Sequence, residues 1–555
     1  MPVCRTFISS MLTTGKKIIL VFLGILVLAV GGWQLYKYRW LDKKLRTVAG
    51  KTKGLYDIQY GSISLDEVSG TLHVKDITIT PDTMVYRRME TEKRNPSILL
   101  RATIPQLDIL GVKTPKALLN KQIEGRSITI TNPSIEILTN QKHKDTQVHD
   151  PSKDLSSQLL EKFTKISIDS VAVLHGNILV RDIDGKTPKV QGRDISCSLT
   201  DLLIDSISVK DSSRILFSRT LGIASKDIML PSGDKKYKLG IHEVAFTSRN
   251  NVLSVGKFQL TPQLPEDAFA RSYAYSKDRY DFTLENIKLI GIDRKNAWHK
   301  ILEADSLIIG KSSFKIYRDL TRPHDTLSRV GKYPQQQLMQ VPIPLNIRKV
   351  VFEHAFIEYK ERGAKSDSAG KLQFYNVATT ISNVTNMRQA IARDDKCILQ
   401  FRSKLLNIAP VSARIVMLLH DPHGRFSIEG DIGSIDTKDL NPLIQPMGLA
   451  RMEKGHIDHL HFNFKGDDSS AAGPMTMLYR DIKITLLKKD KDEPKFNKKG
   501  IPTLLANVII KKDNPKKNDD PRTVDVHFDR IRNKSFFNLI WKSIFTGIKQ
   551  SVGMK

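Results

Sequence analysis

Segments in which apolar and polar residues alternate are the feature that most constrains this fold, because period-two alternation is typical of a half-buried β-strand. In five places two alternating pairs follow each other, and the second pair begins five residues after the first ends. The pairs are Leu65-x-Glu67 with Leu72-x-Val74, Ile128-x-Ile130 with Ile135-x-Ile137, Val171-x-Val173 with Ile178-x-Val180, Leu307-x-Ile309 with Phe314-x-Ile316, and Val350-x-Phe352 with Ile357-x-Tyr359. Glu67 is the one polar residue among them.

The five stretches share a register and a small or turn-forming residue after the aligned position. The aligned residues are Ser69, Asn132, His175, Lys311 and His354, followed by Gly70, Pro133, Gly176, Ser312 and Ala355. This pattern predicts a recurring tight strand–turn–strand unit. A second phrase puts an Asp or Asn before an apolar residue, at Asp76, Asp194, Asp227, Asn286 and Asn376. We interpret it as a strand start after a turn closed by the polar side chain. Short patterns of both kinds also occur in any β protein.

The patterns predict a mainly β fold class: an N-terminal transmembrane helix followed by an elongated, curved antiparallel β-sheet, groove-like, with few short helices. Few helices are available to cover the apolar face of the sheet. A curved sheet would leave an apolar trough suited to acyl chains, which are favoured out of water. The alternative is a set of ordinary sandwiches with filled cores, and periodicity does not separate the two because both bury one face.

An uncharged apolar run, Ile18 to Val30, extends to Tyr36 and is about long enough to cross a bilayer as a helix. Trp33, Tyr36 and Trp40 at its end are typical of an interfacial aromatic belt. The alternative is a cleaved signal peptide. Basic residues are more numerous after the run than before it, which favours a cytosolic body, but long domains translocate largely regardless of such a bias.

The charge balance favours a membrane partner over nucleic acid. Lys and Arg number 87 against 59 Asp and Glu, a net charge of +28. The basic residues are scattered and the aromatics occupy strand positions, whereas nucleic-acid binders place stacking aromatics beside their basic residues. We therefore expect membrane lipids, and no nucleic acid, as partners. Cys197 and Cys397 could form a disulfide or stay as two buried thiols.

Catalytic and metal-binding signals are weak. The sequence has no GxSxG, HExxH, Walker loop, dinucleotide fingerprint or CxxC, so we expect no enzyme activity and no cofactor. His456, His459 and His461 lie within one predicted strand, and the last two share a face. They lack a second group of ligands at regular spacing, so we expect no metal site.

The C-terminal segment from Ser535 to Lys555 has apolar residues at helical spacing, with Lys542 and Lys549 off that face. This predicts an amphipathic helix that either lies in a membrane interface or docks on the sheet as a cap. For the first alternative the interfacial residues are Phe537, Trp541 and Phe545. Either arrangement could gate one end of a groove.

The region from Gly424 to Lys489 resembles the C-terminal region of the AsmA-like family of envelope proteins. The resemblance depends on residues spread along the region: Gly430, Leu440-Asn441-Pro442-Leu443, Lys454-Gly455-His456-Ile457-Asp458, Phe462-x-Phe464-x-Gly466, Ala472-Gly473-x-Met475 and Tyr479-x-Asp481-Ile482-x-Ile484. The opening Tyr60-Gly61-Ser62-Ile63 and Ile77-Thr78-Ile79 are also similar to this family. In the middle of the chain the resemblance is limited to the general character of the sequence.

The resemblance implies a single-pass protein of the inner membrane of a Gram-negative bacterium, with its body in the periplasm, similar to bridge-like lipid-transfer proteins. The expected function is phospholipid binding or transfer through an apolar β-sheet groove for outer-membrane biogenesis. The alternative is a non-enzymatic scaffold that assembles outer-membrane proteins through contacts with envelope partners. The groove candidates are Ile130, Ile135, Ile178, Val180, Phe314, Ile316, Ile357, Tyr359, Phe462 and Phe464.

The expected organisation follows from these boundaries. It comprises a short cytoplasmic N-terminus (1–17), the transmembrane helix (18–36), an N-terminal β region (37–140), a linker with a short helix from Leu155 to Phe163 (141–165), a central β-hairpin region (166–423), the AsmA-like region (424–489), charged loops with the last strands (490–534) and the amphipathic helix (535–555).

Overall fold

The computed structural model describes residues 54–92, 94–113, 121–140, 159–161, 163–185, 188–211, 213–363, 369–448, 450–488, 497–498 and 510–554. The predicted membrane segment 18–36, with Trp33, Tyr36 and Trp40, and most of the linker 141–165 lie outside these residues. Of the helices that are described, none combines the length and the apolar character that crossing a bilayer requires.

The protein is mainly β with few short helices, as predicted. The chain divides into two compact units. Unit 1 runs to Lys257 and includes Ile292–His299; unit 2 consists of Phe258–Gly291 and the chain from Lys300 onward. The boundary of the two falls inside strand β11 (Val252–Pro262).

The strands of unit 1 are β1 (Tyr56–Gln59), β2 (Ser62–Asp66), β3 (Thr71–Pro81), β4 (Ile98–Leu110), β5 (Gln122–Thr131), β6 (Ser134–Thr139), β7 (Lys165–Asp182), β8 (Pro188–Ile204), β9 (Thr220–Pro231) and β10 (Tyr237–Thr247). Its helices are α1 (Thr83–Thr91) and α3 (Arg294–Trp298), with a 3-10 turn at Ser208–Lys210. β1 and β2 pair with β3, β3 with β4, and β4 with both β5 and β6. β7 joins β5 and β6 to β8, which leads to β9 and β10.

The strands of unit 2 are β12 (Arg279–Ile290), β13 (Leu302–Asp319), β14 (Leu345–Arg362), β15 (Ala369–Thr385), β16 (Lys396–Leu405), β17 (Ala409–Leu418), β18 (Phe426–Ile432), β19 (Ile435–Asp436), β20 (Ala450–Gly466), β21 (Ser470–Lys488), β22 (Asn497–Lys498) and β23 (Thr523–Asp529). They pair largely in chain order, with β20 also reaching β18 and β21 also reaching β23. The helices are α2 (Glu266–Arg271), α4 (Pro334–Met339), α5 (Arg388–Ile391), α6 (Asn441–Gly448) and α7 (Phe536–Ser551), with a 3-10 turn at Thr437–Leu440.

The prediction of a purely antiparallel sheet is wrong, because each unit contains a parallel pairing. β5 and β6 pair in parallel with β7, and β13 pairs in parallel with β14. Parallel neighbours need a long connection between them, and the connections between these strands provide it. The sequence repeats are therefore lateral neighbours: Ile130 lies beside Val173, and Ile309 lies beside Phe352, at the same separation along the chain.

The prediction of strand–turn–strand units holds only for the first stretch, where residues 67–70 turn between β2 and β3. In the third to fifth stretches both pairs lie inside one long strand, β7, β13 or β14. In the second stretch the two pairs lie in β5 and β6, which follow each other in the chain and both pair with β4 and β7. The pairing of β7 shifts between Val173 and Gly176, where His175 has a φ of 57°.

A local irregularity, called a bulge below, accounts for the five-residue step. Side chains alternate between the two faces of a strand, so an odd step would place the second pair on the opposite face. At Asn132 a single residue of positive φ interrupts the alternation and restores the first face, while the register against β4 continues without a net shift. Ile128, Ile130, Ile135 and Ile137 are accordingly all buried, on both sides of Asn132, whose φ is 55°.

The second phrase also marks strand interiors, so its interpretation as strand starts is wrong. Asp76, Asp194, Asn286 and Asn376 lie inside β3, β8, β12 and β15 with φ between 51° and 57°. Asp and Asn tolerate this left-handed conformation better than most residues. Asp227 lies within β9, opposite Arg193 and His242.

Candidate functional site

The four groove candidates of unit 1 are core residues. Ile130, Ile135, Ile178 and Val180 are all buried, at 2 to 5% exposure. Leu159 and Phe163, from the connection before β7, belong to the same hydrophobic cluster as Ile130. A cavity nearby, lined by apolar side chains including Ile109, has a volume of about 10 Å³. That is room for about one water molecule, so the cavity holds no amphiphile.

Phe462 and Phe464 of unit 2 are also buried, in a large cluster to which helix α7 contributes. The two rings stack with centroids 5.1 Å apart. α7 lies close to the sheet, since a Cβ added at Gly547 would meet the Met475 sulfur at 2.4 Å. The helix therefore docks as a cap on β21 and β23, which is the second of the two arrangements considered for it.

The remaining four candidates, Phe314, Ile316, Ile357 and Tyr359, are half-buried and share one face of β13 and β14. The register extends this face to the neighbouring strands. Phe282 of β12 pairs with Phe314, Phe314 with Ile357, and Ile357 with Phe374 of β15. We name the half-buried residues Phe282, Phe314, Phe352, Ile357 and Phe374 the aromatic strip.

Ring contacts connect the strip across strands. The Phe314 centroid lies 5.4 Å from that of Phe282 and 5.8 Å from that of Phe352, both edge-on. Such contacts stabilise aromatic pairs beyond the burial of their area. Directly behind the strip, the opposite face carries a charged row, in which Asp281, Lys315 and Glu358 pair laterally. The sheet is thus amphipathic, with an apolar face that is neither fully covered nor fully exposed.

One end of the strip is ionic. Phe282, Phe314 and Ile357 share their face with Tyr280, Ile316 and Tyr359, one alternation step further along each strand. The next residue of that face, two positions further on, is charged in each case. These charged residues are Asp278, Arg318 and Glu361. Arg318 is 9% exposed, and its guanidinium lies 3.4 Å from the Asp278 carboxylate. The groove residues predicted from the sequence do not include this end, although extending the alternation by one step reaches its charged residues.

Two further cations come from loops. Arg329 lies in the connection between β13 and β14, and its guanidinium is 3.8 Å from Asp278. Lys534 lies between β23 and α7 and is half-buried. We call Asp278, Arg318, Arg329, Glu361 and Lys534 the ionic cluster.

Backbone contacts hold the two loops together. The Arg329 amide donates to the Arg532 carbonyl at 2.7 Å, and the Asn533 side chain donates to the Asp325 carbonyl at 2.8 Å. Asp325 is itself held by the Lys277 amine at 2.5 Å. Arg329 and Lys534 are therefore positioned together rather than independently.

Burial and charge shift the titration of this end. Burial lowers the pKa of Lys534, and the nearby Arg318 and Arg329 lower it further, against the opposite effects of Glu361 and Asp278. Burial also raises the pKa of Tyr359, and Glu361, which accepts its hydroxyl at 2.5 Å, adds to the shift. Burial is thus the largest cause of both pKa shifts, and the neighbouring cations and carboxylates act on Lys534 in opposite directions.

The outer side of α7 carries the predicted interfacial residues at a spacing of one turn. Phe537 is 66% exposed, Phe545 is exposed and Trp541 is half-buried. The Trp541 and Phe545 rings stack with centroids 6.3 Å apart, and the Lys542 and Lys549 amines lie over the Phe545 ring at 5.7 and 6.0 Å. The helix therefore presents a second apolar stripe with basic neighbours.

The other predicted sites contain little unusual chemistry. Cys197 and Cys397 are free thiols, and burial raises the pKa of each to about 11. His459 and His461 both lie beside Asp431, at 3.2 and 2.9 Å. Within the described ranges, no group of three or more His, Cys, Asp or Glu side chains could hold a metal ion.

Comparison with known proteins does not identify a family. No protein-family model matches the chain, and the search of curated proteins found no match. The resemblance to the AsmA-like family accordingly stays a prediction made from the residues quoted above.

Proposed function

We propose that this chain binds or transfers phospholipid through the apolar face of unit 2, as an inner-membrane-anchored, periplasmic, AsmA-like protein without enzymatic activity that serves outer-membrane biogenesis. The observation that carries the proposal is the aromatic strip. It is a connected set of large apolar side chains, on four neighbouring strands, that folding leaves half-buried. Unfilled apolar surface of this kind is stabilised by an apolar ligand.

A matched pair of positions tests the proposal. Phe314 and Phe356 are both half-buried aromatics on adjacent strands, but they lie on opposite faces, since Phe356 pairs with Ser313 and contacts Tyr375. A photo-crosslinking benzoylphenylalanine would replace each in the full chain in cells, and adducts would be identified by mass spectrometry. We expect phospholipid adducts at 314 and few at 356.

Equal lipid labelling at both positions, or none at 314, would contradict the proposal. Protein adducts in place of lipid at 314 would support the alternative function as a scaffold for outer-membrane assembly. The exposed stripe on α7 gives that alternative one specific place for a protein contact.

A further inference from the structure

Polarity changes row by row along the face of β12, β13 and β14 that carries the aromatic strip. The first row is Phe282, Phe314 and Ile357; the second is Tyr280, Ile316 and Tyr359; the third is Asp278, Arg318 and Glu361. An apolar row, a mixed row and a charged row follow each other at two-residue steps. This is the polarity sequence of an amphiphile from its chain to its headgroup.

We propose that the ionic cluster binds the anionic headgroup, a phosphate or a carboxylate, of an amphiphile whose acyl chain runs along the strands and crosses the aromatic strip. The inference rests on the proposed function and specifies its ligand: an anionic lipid rather than a neutral one. The four residue steps from Arg318 to Phe314 extend about 13 Å along a β-strand. One leaflet of acyl chains occupies about 15 Å, half of a bilayer's hydrocarbon core, so the dimensions agree.

The charge balance of the cluster supports an anion. It holds three cations and two carboxylates. Asp278 serves both Arg318 and Arg329, at 3.4 and 3.8 Å. No carboxylate of the described residues lies within ion-pair distance of the Lys534 amine. Lys534 is half-buried, and a bound anion would offset part of the cost of removing its charge from water.

A nearby pair shows what a purely structural ion pair looks like in this unit. Arg530 is almost fully buried and donates directly to Asp468. Its guanidinium also lies 4.2 Å from the Tyr333 ring centroid and donates to the Arg329 carbonyl at 2.5 Å. Asp468, the Tyr333 ring and the Arg329 carbonyl all lie close to the Arg530 guanidinium, although its Nε atom has no hydrogen-bond partner. The separations in the ionic cluster are longer, and its cations outnumber its carboxylates.

The test compares two lipids that differ only in the headgroup. The full chain with benzoylphenylalanine at 314 would be mixed with vesicles containing equal amounts of phosphatidylglycerol and diacylglycerol of the same acyl chains, and the ratio of their adducts measured. We expect phosphatidylglycerol to be preferred. Lys534→Gln should lower the preference by about tenfold, the loss of one charge-assisted contact. Lys534→Arg should retain it.

Lys226→Gln is the matched control, since it removes the same charge from an exposed position on β9 of unit 1 and should leave the ratio unchanged. Arg329→Gln is a second variant should Lys534→Gln fail to fold. A further arm adds inorganic phosphate. Loss of the preference would assign the cluster to phosphate in general, and retention would assign it to a headgroup delivered with its chain.

The two proposals fail in different ways. Absence of any lipid adduct at 314 would overturn the proposed function. Equal adducts with the two lipids, or a preference that Lys534→Gln leaves intact, would overturn the headgroup site alone.

Discussion

Units 1 and 2 contain the same parallel strand pair but use it differently. Ile135 and Ile178 in unit 1 lie side by side after the bulge, as do Phe314 and Ile357 in unit 2. The first two are buried and the second two are half-buried. In unit 1 the two isoleucines belong to a hydrophobic cluster with Ile79 of β3 and Ala102 of β4. In unit 2 the connection before β14 contributes Tyr333 to the cluster of α7, against which Phe374 of the strip packs. What covers a strand pair, rather than its pattern, decides whether its face is core or surface.

The prediction with the largest expected effect introduces a charge at equivalent positions of the two units. Ile135→Asp should cost more than about 4 kcal/mol of unfolding free energy, because its carboxylate would be buried without a partner. Phe314→Asp should cost about 1–2 kcal/mol, the loss of part of an aromatic burial. Hydrogen exchange of β7 and β14, the strands that pair with those of the two substituted residues, measures the local cost of each substitution. Equal costs would show that the face of unit 2 is as closed as that of unit 1.

The next test concerns the covered part of unit 2. Gly547→Ala should cost about 2 kcal/mol, because the new Cβ overlaps Met475 and α7 must move away from the sheet. Protease cleavage between β23 and α7 should become faster. Gly233→Ala, where no atom lies within 4 Å of the added Cβ, is the control and should have little effect. An unchanged cleavage rate in Gly547→Ala would mean that α7 is not held against the sheet.

The bulges should behave alike in both units. Asn132→Val and Asn376→Val each place a β-branched residue at a positive φ, which should cost about 1–2 kcal/mol. Glycine at the same positions should cost less, since it adopts that conformation freely. Local hydrogen exchange again gives the values. A cost confined to one unit would show that the two bulges are not equivalent.

A smaller expected effect is a pH dependence of the stability of unit 2. The Lys277 hydrogen bond, followed by the Leu327 amide, lowers the pKa of Asp325, which holds the loop bearing Arg329. A carboxyl whose folded pKa is depressed stabilises the fold above its unfolded pKa and loses that contribution as pH falls through the folded one. Asp325→Asn should therefore cost about 1 kcal/mol at neutral pH and progressively less below about pH 4. A cost independent of pH, measured by urea unfolding, would contradict this assignment.

The smallest expected change in stability is at Phe537. Because its ring is exposed, Phe537→Ala should alter the unfolding free energy by less than about 0.5 kcal/mol. If the stripe on α7 contacts membranes, binding of the protein to anionic vesicles should nevertheless fall by several fold. Phe536→Ala, at the buried neighbour, should show the reverse: lower stability with no specific loss of binding. Unchanged vesicle binding in Phe537→Ala would remove the stripe as a membrane contact.

The strand content and the inward residues could be predicted from alternation, but the topology could not. A five-residue step between apolar pairs fits a hairpin turn and an internal bulge equally well, and only the partners of β7 distinguish them. The degree of burial could not be predicted from the sequence either. Ile178 and Ile357 occupy the same place in their patterns, but Ile178 is buried and Ile357 is half-buried. The ionic cluster needed the structure because Arg329 and Lys534 come from loops far apart in the chain.

The backbone contact between Arg329 and Arg532 has a consequence for synthesis. A growing chain emerges from its N-terminus, and contacts between distant residues form only after the later one has been made. The strands of unit 1 are complete once residue 257 has emerged, whereas the loop that carries Arg329 stays unsecured until residue 532 follows. For a time the aromatic face would thus lie beside a charged end that lacks Lys534 and the contact that secures the Arg329 loop.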